Sequence, residues 1–121
     1  MFFQTFFGIK DKCFDATYFV NSRFKNVNFI NCSFINSVFA KSTLNEVFFE
    51  GANAEGINFS KCEINKSSFA DGILAYCNLN DARITETDFF SADLSEASSN
   101  YGTKLVDCIN VETTIGTPYN F

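Results

Sequence analysis

Chemistry in a chain of 121 residues would have to come from its cysteines, its carboxylates or a phosphate-binding turn, and residue spacing weighs each of these. The five cysteines are Cys13, Cys32, Cys62, Cys77 and Cys108, and their separations match neither a paired metal-ligand motif nor a Cys-X-X-Cys redox motif. Histidine is absent, which removes Ser-His and Cys-His nucleophile pairs and histidine metal ligands. The glycines are scattered at positions 8, 51, 56, 72, 102 and 116, so none forms a turn that wraps a phosphate. The 14 Asp and Glu residues include enough carboxylates for an acid and a base. Such a pair needs a pocket to tune its protonation, and nothing in the spacing implies one. The expectation is a non-catalytic chain with no catalytic residue, no metal site and no cofactor.

The elements that position these groups are written in an unusual period. From Phe14 onward every fifth residue is large and apolar: Phe14, Phe19, Phe24, Phe29, Phe34, Phe39, Leu44 and Phe49, then, after Ala54, Phe59, Ile64, Phe69, Leu74, Leu79, Ile84, Phe89 and Leu94. From Thr17 onward, two residues before each lies a smaller, uncharged side chain, a row that includes Val27, Cys32, Ser37, Ser42, Val47, Ile57, Cys62 and Cys77. A period of five belongs neither to a helix, at about 3.6 residues, nor to a strand, at two. Two inward and three outward positions per unit describe a narrow tube. A unit this short cannot bury its own apolar side, so neighbours must stack into a solenoid with a continuous core.

Units such as Ala92-Asp93-Leu94-Ser95-Glu96, Ala82-Arg83-Ile84-Thr85-Glu86 and Val27-Asn28-Phe29-Ile30-Asn31 resemble the pentapeptide repeat family, whose unit is Ala-(Asp/Asn)-Leu-X-X with Phe often replacing Leu. The resemblance covers about residues 12–96 without a slip of register. It implies an all-β fold: a right-handed parallel four-sided β-helix of about four coils, twenty residues to the coil, with short capping segments. Asn21, Asn26, Asn31, Asn36, Gly51 and Gly56 fall two places after the large residue, where a type II corner needs positive φ. Lys61, Lys66, Asp71, Tyr76 and Asp81 occupy the same place later in the chain, which suggests corners of a different type there.

The expected organisation is one domain, with an N-terminal cap at 1–11, the repeat β-helix at 12–96 and a C-terminal cap or dimer contact at 97–121. A tube of parallel strands has an open edge at each end that caps must cover. Phe2, Phe3, Phe6 and Phe7 are placed to cover the first coil, and their i, i+4 spacing would permit a short helix. Beyond Ser99 and Lys104, which take the large slot, Leu105, Val106, Ile109, Val111, Ile115, Tyr119 and Phe121 follow without strict register. The resemblance implies a homodimer contact through this segment, since some family members dimerise there. Cys32, Cys62 and Cys77 fall in the small inward slot, where a thiol behaves as a compact hydrophobe. With no basic, apolar leader at the start and no run of about 20 apolar residues, a reduced, cytoplasmic protein without a membrane partner is expected.

Sorting residues twenty apart separates four sides, named here by their large residues. The Phe29 side (Phe29, Phe49, Phe69, Phe89) and the adjacent Phe34 side (Phe34, Ala54, Leu74, Leu94) present Asp15, Glu50, Glu55, Asp71, Asp88, Asp93 and Glu96 and no base. They also present Ile35, Phe48, Ile73, Tyr76 and Phe90. The Phe24 side (Phe24, Leu44, Ile64, Ile84) shows only polar and charged residues outward, Arg83 and Lys66 among them. Apolar residues grouped with one sign of charge mark a contact surface, so these twelve residues are the candidate partner-binding set. The net charge of −5 disfavours direct nucleic-acid binding, which needs a basic stripe. The leading expectation is a protein-interaction module. The alternative is a DNA-mimic inhibitor or protector of DNA gyrase, topoisomerase or another nucleic-acid enzyme, implied by likeness to the quinolone-resistance branch of the family. Against it, the chain is short for that branch and lacks its loop insertions.

Overall fold

The computed structural model describes residues 9–121 fully and residues 2–6 by backbone alone. Six parallel strands, β1 (Phe2–Phe6), β2 (Arg23–Asn28), β3 (Thr43–Phe48), β4 (Glu63–Asn65), β5 (Arg83–Thr85) and β6 (Lys104–Val106), form one sheet in chain order. The central register is twenty residues, with Phe24 opposite Leu44, Leu44 opposite Ile64 and Ile64 opposite Ile84. The other three sides are held by ladders of single parallel bridges, such as Tyr18–Val38–Asn58–Asn78–Ser98. The protein is therefore an all-β parallel solenoid with about four regular coils and strands on the order of 4.8 Å apart.

Backbone hydrogen bonds explain why five residues make a unit. In the unit around Phe34, the Phe34 N–H donates to Asn53 O at 2.7 Å and the Asn36 N–H to Glu55 O at 2.9 Å, both in the following coil. The Val38 N–H donates back to Thr17 O at 2.9 Å, and the Ser37 N–H closes the corner on Phe34 O at 3.1 Å. The Ile35 N–H donates to Asp15 Oδ1 at 2.8 Å, so every amide of this unit is paired. The corner residue has positive φ in every unit from Asp11 to Glu96.

The expected change of corner type along the chain is corrected here. Lys61, Asp71, Tyr76 and Asp81 have φ of 58, 57, 63 and 61°, as the Asn corners do, and the amide following each closes the same turn. The stack sets the backbone there in spite of the cost of a left-handed conformation outside Gly and Asn. The difference follows a side of the tube instead. At Glu46, within β3, and at Lys66, just after β4, the next amides, of Val47 and Ser67, donate to Ser67 Oγ and Thr87 Oγ1 in the following coil. Of the five residues singled out from the sequence, only Lys66 has the other kind of corner.

The tube is filled by two kinds of inward side chain. Every large residue from Phe19 to Leu94 is buried, whereas Phe14, at the open end, is only half-buried against the core. The Phe29 side forms a ladder of rings, Phe29–Phe49–Phe69–Phe89, with centroids 5.4, 5.1 and 5.5 Å apart. In the small slots hydroxyls and thiols bond across coils: Ser42 Oγ donates to Phe19 O at 2.6 Å and Cys62 Sγ to Phe39 O at 2.9 Å. One unit exchanges sizes, with Ala54 in the large slot and Ile57, fully buried, in the next small one.

Both ends depart from the twenty-residue register. The segment with helix-permitting spacing at the front is the strand β1, paired with Phe2 opposite Arg23 and Phe3 opposite Phe24. The expected covering of the first coil by Phe2, Phe3, Phe6 and Phe7 lies outside the described residues. At the back β6 pairs with Arg83 opposite Lys104 and Ile84 opposite Leu105, one residue beyond twenty. The ladders continue through Asp88–Ile109 and Asp93–Ile115, around a 3-10 turn at Val111–Thr113. The chain then returns over the tube end, where the Phe121 ring meets Phe89 edge-on at 5.5 Å. The ladders thus run on past residue 97, and Phe121 packs against the core.

Candidate partner-binding surface

The thiols come first among groups capable of chemistry. Burial pushes the Cys62 and Cys77 thiols up to about 12, and it also raises those of Cys32 and Cys108. A thiol held protonated is a poor nucleophile and metal ligand. Cys13 is exposed at the first coil. Among the described residues no group of three or more Cys, Asp or Glu is placed to hold a metal ion.

The twelve candidate residues lie on two adjacent sides. Phe48 and Asp88 belong to one row of the Phe29 side, with Ser68 between them and Ile109 below. Ile73 and Asp93 belong to a row of the Phe34 side that ends at Ile115. Asp71 stands at the corner between the sides, its N–H donating to Phe90 O at 2.8 Å. Tyr76 stands at the far corner, one coil before Glu96.

Exposure divides this set. Asp15, Glu55, Asp71, Ile73, Tyr76, Phe90 and Glu96 are exposed, whereas Ile35, Phe48, Glu50, Asp88 and Asp93 are only half-exposed. Three of the carboxylates also have structural work. Asp15 Oδ1 accepts from Ser33 Oγ at 2.5 Å and from the Ile35 N–H at 2.8 Å, and these bonds, Ser33 first, hold its carboxyl below the ordinary value. Asp88 Oδ1 accepts from the Phe90 N–H and from Asn110 Nδ2, each at 2.9 Å. Asp93 Oδ1 accepts from the Ser95 N–H at 2.9 Å. Asn28, Asn58 and Asn78 make the same bond from the same place in their units. Glu50 has one carboxylate oxygen, Oε1, enclosed without a hydrogen-bond partner.

Glu55, Asp71 and Glu96 remain as exposed carboxylates whose side chains make no hydrogen bond among the described residues, and they are the strongest candidates for an outside contact. The C-terminal coil adds apolar surface that the sequence left unplaced. Ile109 and Ile115 are 55% and 58% exposed, continuing the rows of Asp88 and Asp93, and Glu112 is exposed on the turn between them. Their signal was a ladder offset of 21 or 22 residues instead of 20, which a strict five-residue count does not follow. The expectation that these two sides hold no base is corrected at the first coil, where Lys10 and Lys12 are exposed and the backbone pairs there, the Asp11 N–H donating to Ile30 O and the Ser33 N–H to Lys12 O. Of the later bases, Lys66 stands at the corner between the Phe24 and Phe29 sides, and Arg83 and Lys104 on the strand side itself.

A coil of four five-residue units repeated in this way also matches a family model, that of the pentapeptide repeat region, over residues 10–98. The chain belongs to the pentapeptide repeat family. No curated protein sequence matches it. Among solved structures, it is similar to a pentapeptide repeat protein from the Arabidopsis thaliana thylakoid lumen, at 20% identity and a TM-score of 0.69 over 71% of this chain. It is also similar to the pentapeptide repeat protein Rfr23 from the cyanobacterium Cyanothece 51142, at 15% identity and a TM-score of 0.55 over 82% of this chain. The chain spans 59% and 63% of the lengths of these two proteins, less than two thirds of either. QnrB1, a plasmid-mediated fluoroquinolone resistance protein, aligns with 95% of this chain and 77% of its own at 12% identity, but its TM-score of 0.31 is too low to bear on this chain. These likenesses concern the fold of the repeat protein. No enzymatic family is among them, and no helix among its described residues is long and apolar enough to cross a membrane.

Proposed function

We propose that this repeat protein is a non-catalytic interaction module that binds a protein partner on the adjoining Phe29 and Phe34 sides. The observation that favours this reading is the coincidence, on one half of the tube beyond the first coil and its Lys10 and Lys12, of exposed carboxylates without bases and of exposed Ile73, Tyr76, Phe90, Ile109 and Ile115. The strand side, by contrast, presents Arg83, Thr85 and an Asn45–Asn65 side-chain bond at 2.8 Å, with one exposed large apolar residue, Val106, at its C-terminal end. Apolar area supplies affinity and one-signed charge supplies steering and register.

The test is capture of binding proteins from the native host by three forms of the full chain. A variant with Glu55, Asp71 and Glu96 changed to Lys is expected to lose the specific partners of the wild type. A variant with Lys66 and Arg83 changed to Glu is expected to keep them. Equal retention by both variants removes the acidic sides from consideration. The reading as a DNA mimic rests on the same charge and on the family. Inhibition or protection of gyrase supercoiling, abolished by the first variant alone, would select it.

A further inference from the structure

We propose that the C-terminal half of the Phe34 side is a seat for a basic amphipathic α-helix of a protein partner, laid along the tube axis with one helical turn per coil. This rests on the acidic-side reading above and adds the chemistry and shape of what binds there.

The row Ile73–Asp93–Ile115 runs along the axis as apolar, acidic, apolar on successive coils. Its two apolar members are 41% and 58% exposed. Beside this row the side chains are small. Ala75 is buried and Ser95 half-buried, and Gly116 packs so closely on Ser95 that a Cβ there would stand 2.7 Å from Ser95 Cα. These three form the floor of a shallow trough. Tyr76, 63% exposed, and Glu96 form its far wall at the corner.

The dimensions of the trough suit a helix. Coils are spaced about 4.8 Å apart, close to the helical pitch of about 5.4 Å. Two coils, from Ile73 to Ile115, cover about 9.6 Å, and residues i and i+7 of a helix are about 10.5 Å apart along its axis. Apolar side chains at i and i+7 therefore reach both isoleucines, and a base at i+3 or i+4 falls over Asp93. Asp71 and Glu112 flank the seat with further negative charge. A nucleic-acid backbone is repelled by the same groups.

The probe is a fluorescently labelled, alanine-rich 18-residue helical peptide with Leu at i and i+7 and Lys at i+3 and i+4, titrated with the full chain and read by anisotropy. The control is the same composition in scrambled order. The patterned peptide is expected to bind at least about tenfold more tightly than the scrambled one. Ile73→Ser, Ile115→Ser and Asp93→Asn are each expected to weaken it about fivefold or more. Asp93→Asn keeps an acceptor for the Ser95 amide, and Tyr76→Asn removes the wall while placing a residue suited to positive φ at that corner, so both are expected to fold. Arg83→Gln is expected to leave affinity unchanged. Equal binding of both peptides overturns the helix seat and leaves the acidic sides standing. Sensitivity to Arg83→Gln alone overturns both readings. Binding of neither peptide overturns the helix seat, and the host-capture experiment then decides the broader reading by itself.

Discussion

At the scale of single residues, the position before the large apolar side chain explains much of the family's consensus. Its side-chain oxygen accepts the amide two residues on, whether the residue is Asn28, Asn58, Asn78, Asp88 or Asp93. From the sequence, Asp88 and Asp93 read as outward charge. Recurrence of neutral Asn in the same slot was the available sign that the oxygen, not the charge, is what the fold uses there. Asp15 follows the large residue Phe14 instead of preceding one, and accepts from Ser33 Oγ and the Ile35 amide of the next coil. Its carboxylate is favoured in the folded state, so its contribution is complete above the ordinary value of 3.8 and is lost as pH falls below it. Thermal unfolding followed by circular dichroism from about pH 5 to about pH 2.5 is expected to show a smaller fall in Tm for Asp15→Asn than for the wild type. Parallel curves would show that the carboxylate has no such preference.

At the scale of the repeat unit, the spacing made the inward positions legible because each unit must meet the same core. The corners were less legible because their conformation comes from the coil on either side. Tyr76 and Lys61 are poor residues for positive φ and adopt it all the same, held by amide bonds of 2.8 and 2.9 Å to Ser95 O and Asn80 O. The exchange at Ala54 and Ile57 sets a small residue in one unit's large slot beside a large residue in the next unit's small slot. Both are buried, and the Ile57 N–H closes the corner on Ala54 O at 3.0 Å. Ala54→Leu alone is expected to overpack the tube and cost about 1–3 kcal/mol. Ile57→Ala alone is expected to cost about 2–5 kcal/mol through a cavity. Denaturant unfolding of the double variant is expected to recover at least about 1 kcal/mol relative to the sum of the two. Strict additivity would mean that the two side chains do not share the same space.

At the scale of the whole molecule, the tube has two ends, and at one of them the last residue, Phe121, packs against the core. The regular spacing stops before the fold does, since β6 and the rows ending at Ile109 and Ile115 keep their places after a shift of one or two residues. A shift of that size is invisible to a fixed period, which is why the last exposed apolar residues were not assigned to a side. Phe121 then finishes the ring ladder on Phe89. Phe121→Ser is expected to lower stability by roughly 1–3 kcal/mol through lost burial, measured by denaturant unfolding, and to increase self-association in size-exclusion chromatography with light scattering. An unchanged midpoint would show that the ring is not part of the core packing. The twenty-residue register has a further consequence for how such a chain can change length. A single unit gained or lost in the middle would leave the core continuous but turn everything after it by about a quarter of a circle, carrying Ile73 and Ile115 away from the acids of the earlier coils. Four units gained together would restore the bearing. Growth of the protein is thus free in its interior and quantised in azimuth at its surface, and duplication by whole coils is the route that lengthens a binding face without rotating half of it out of reach.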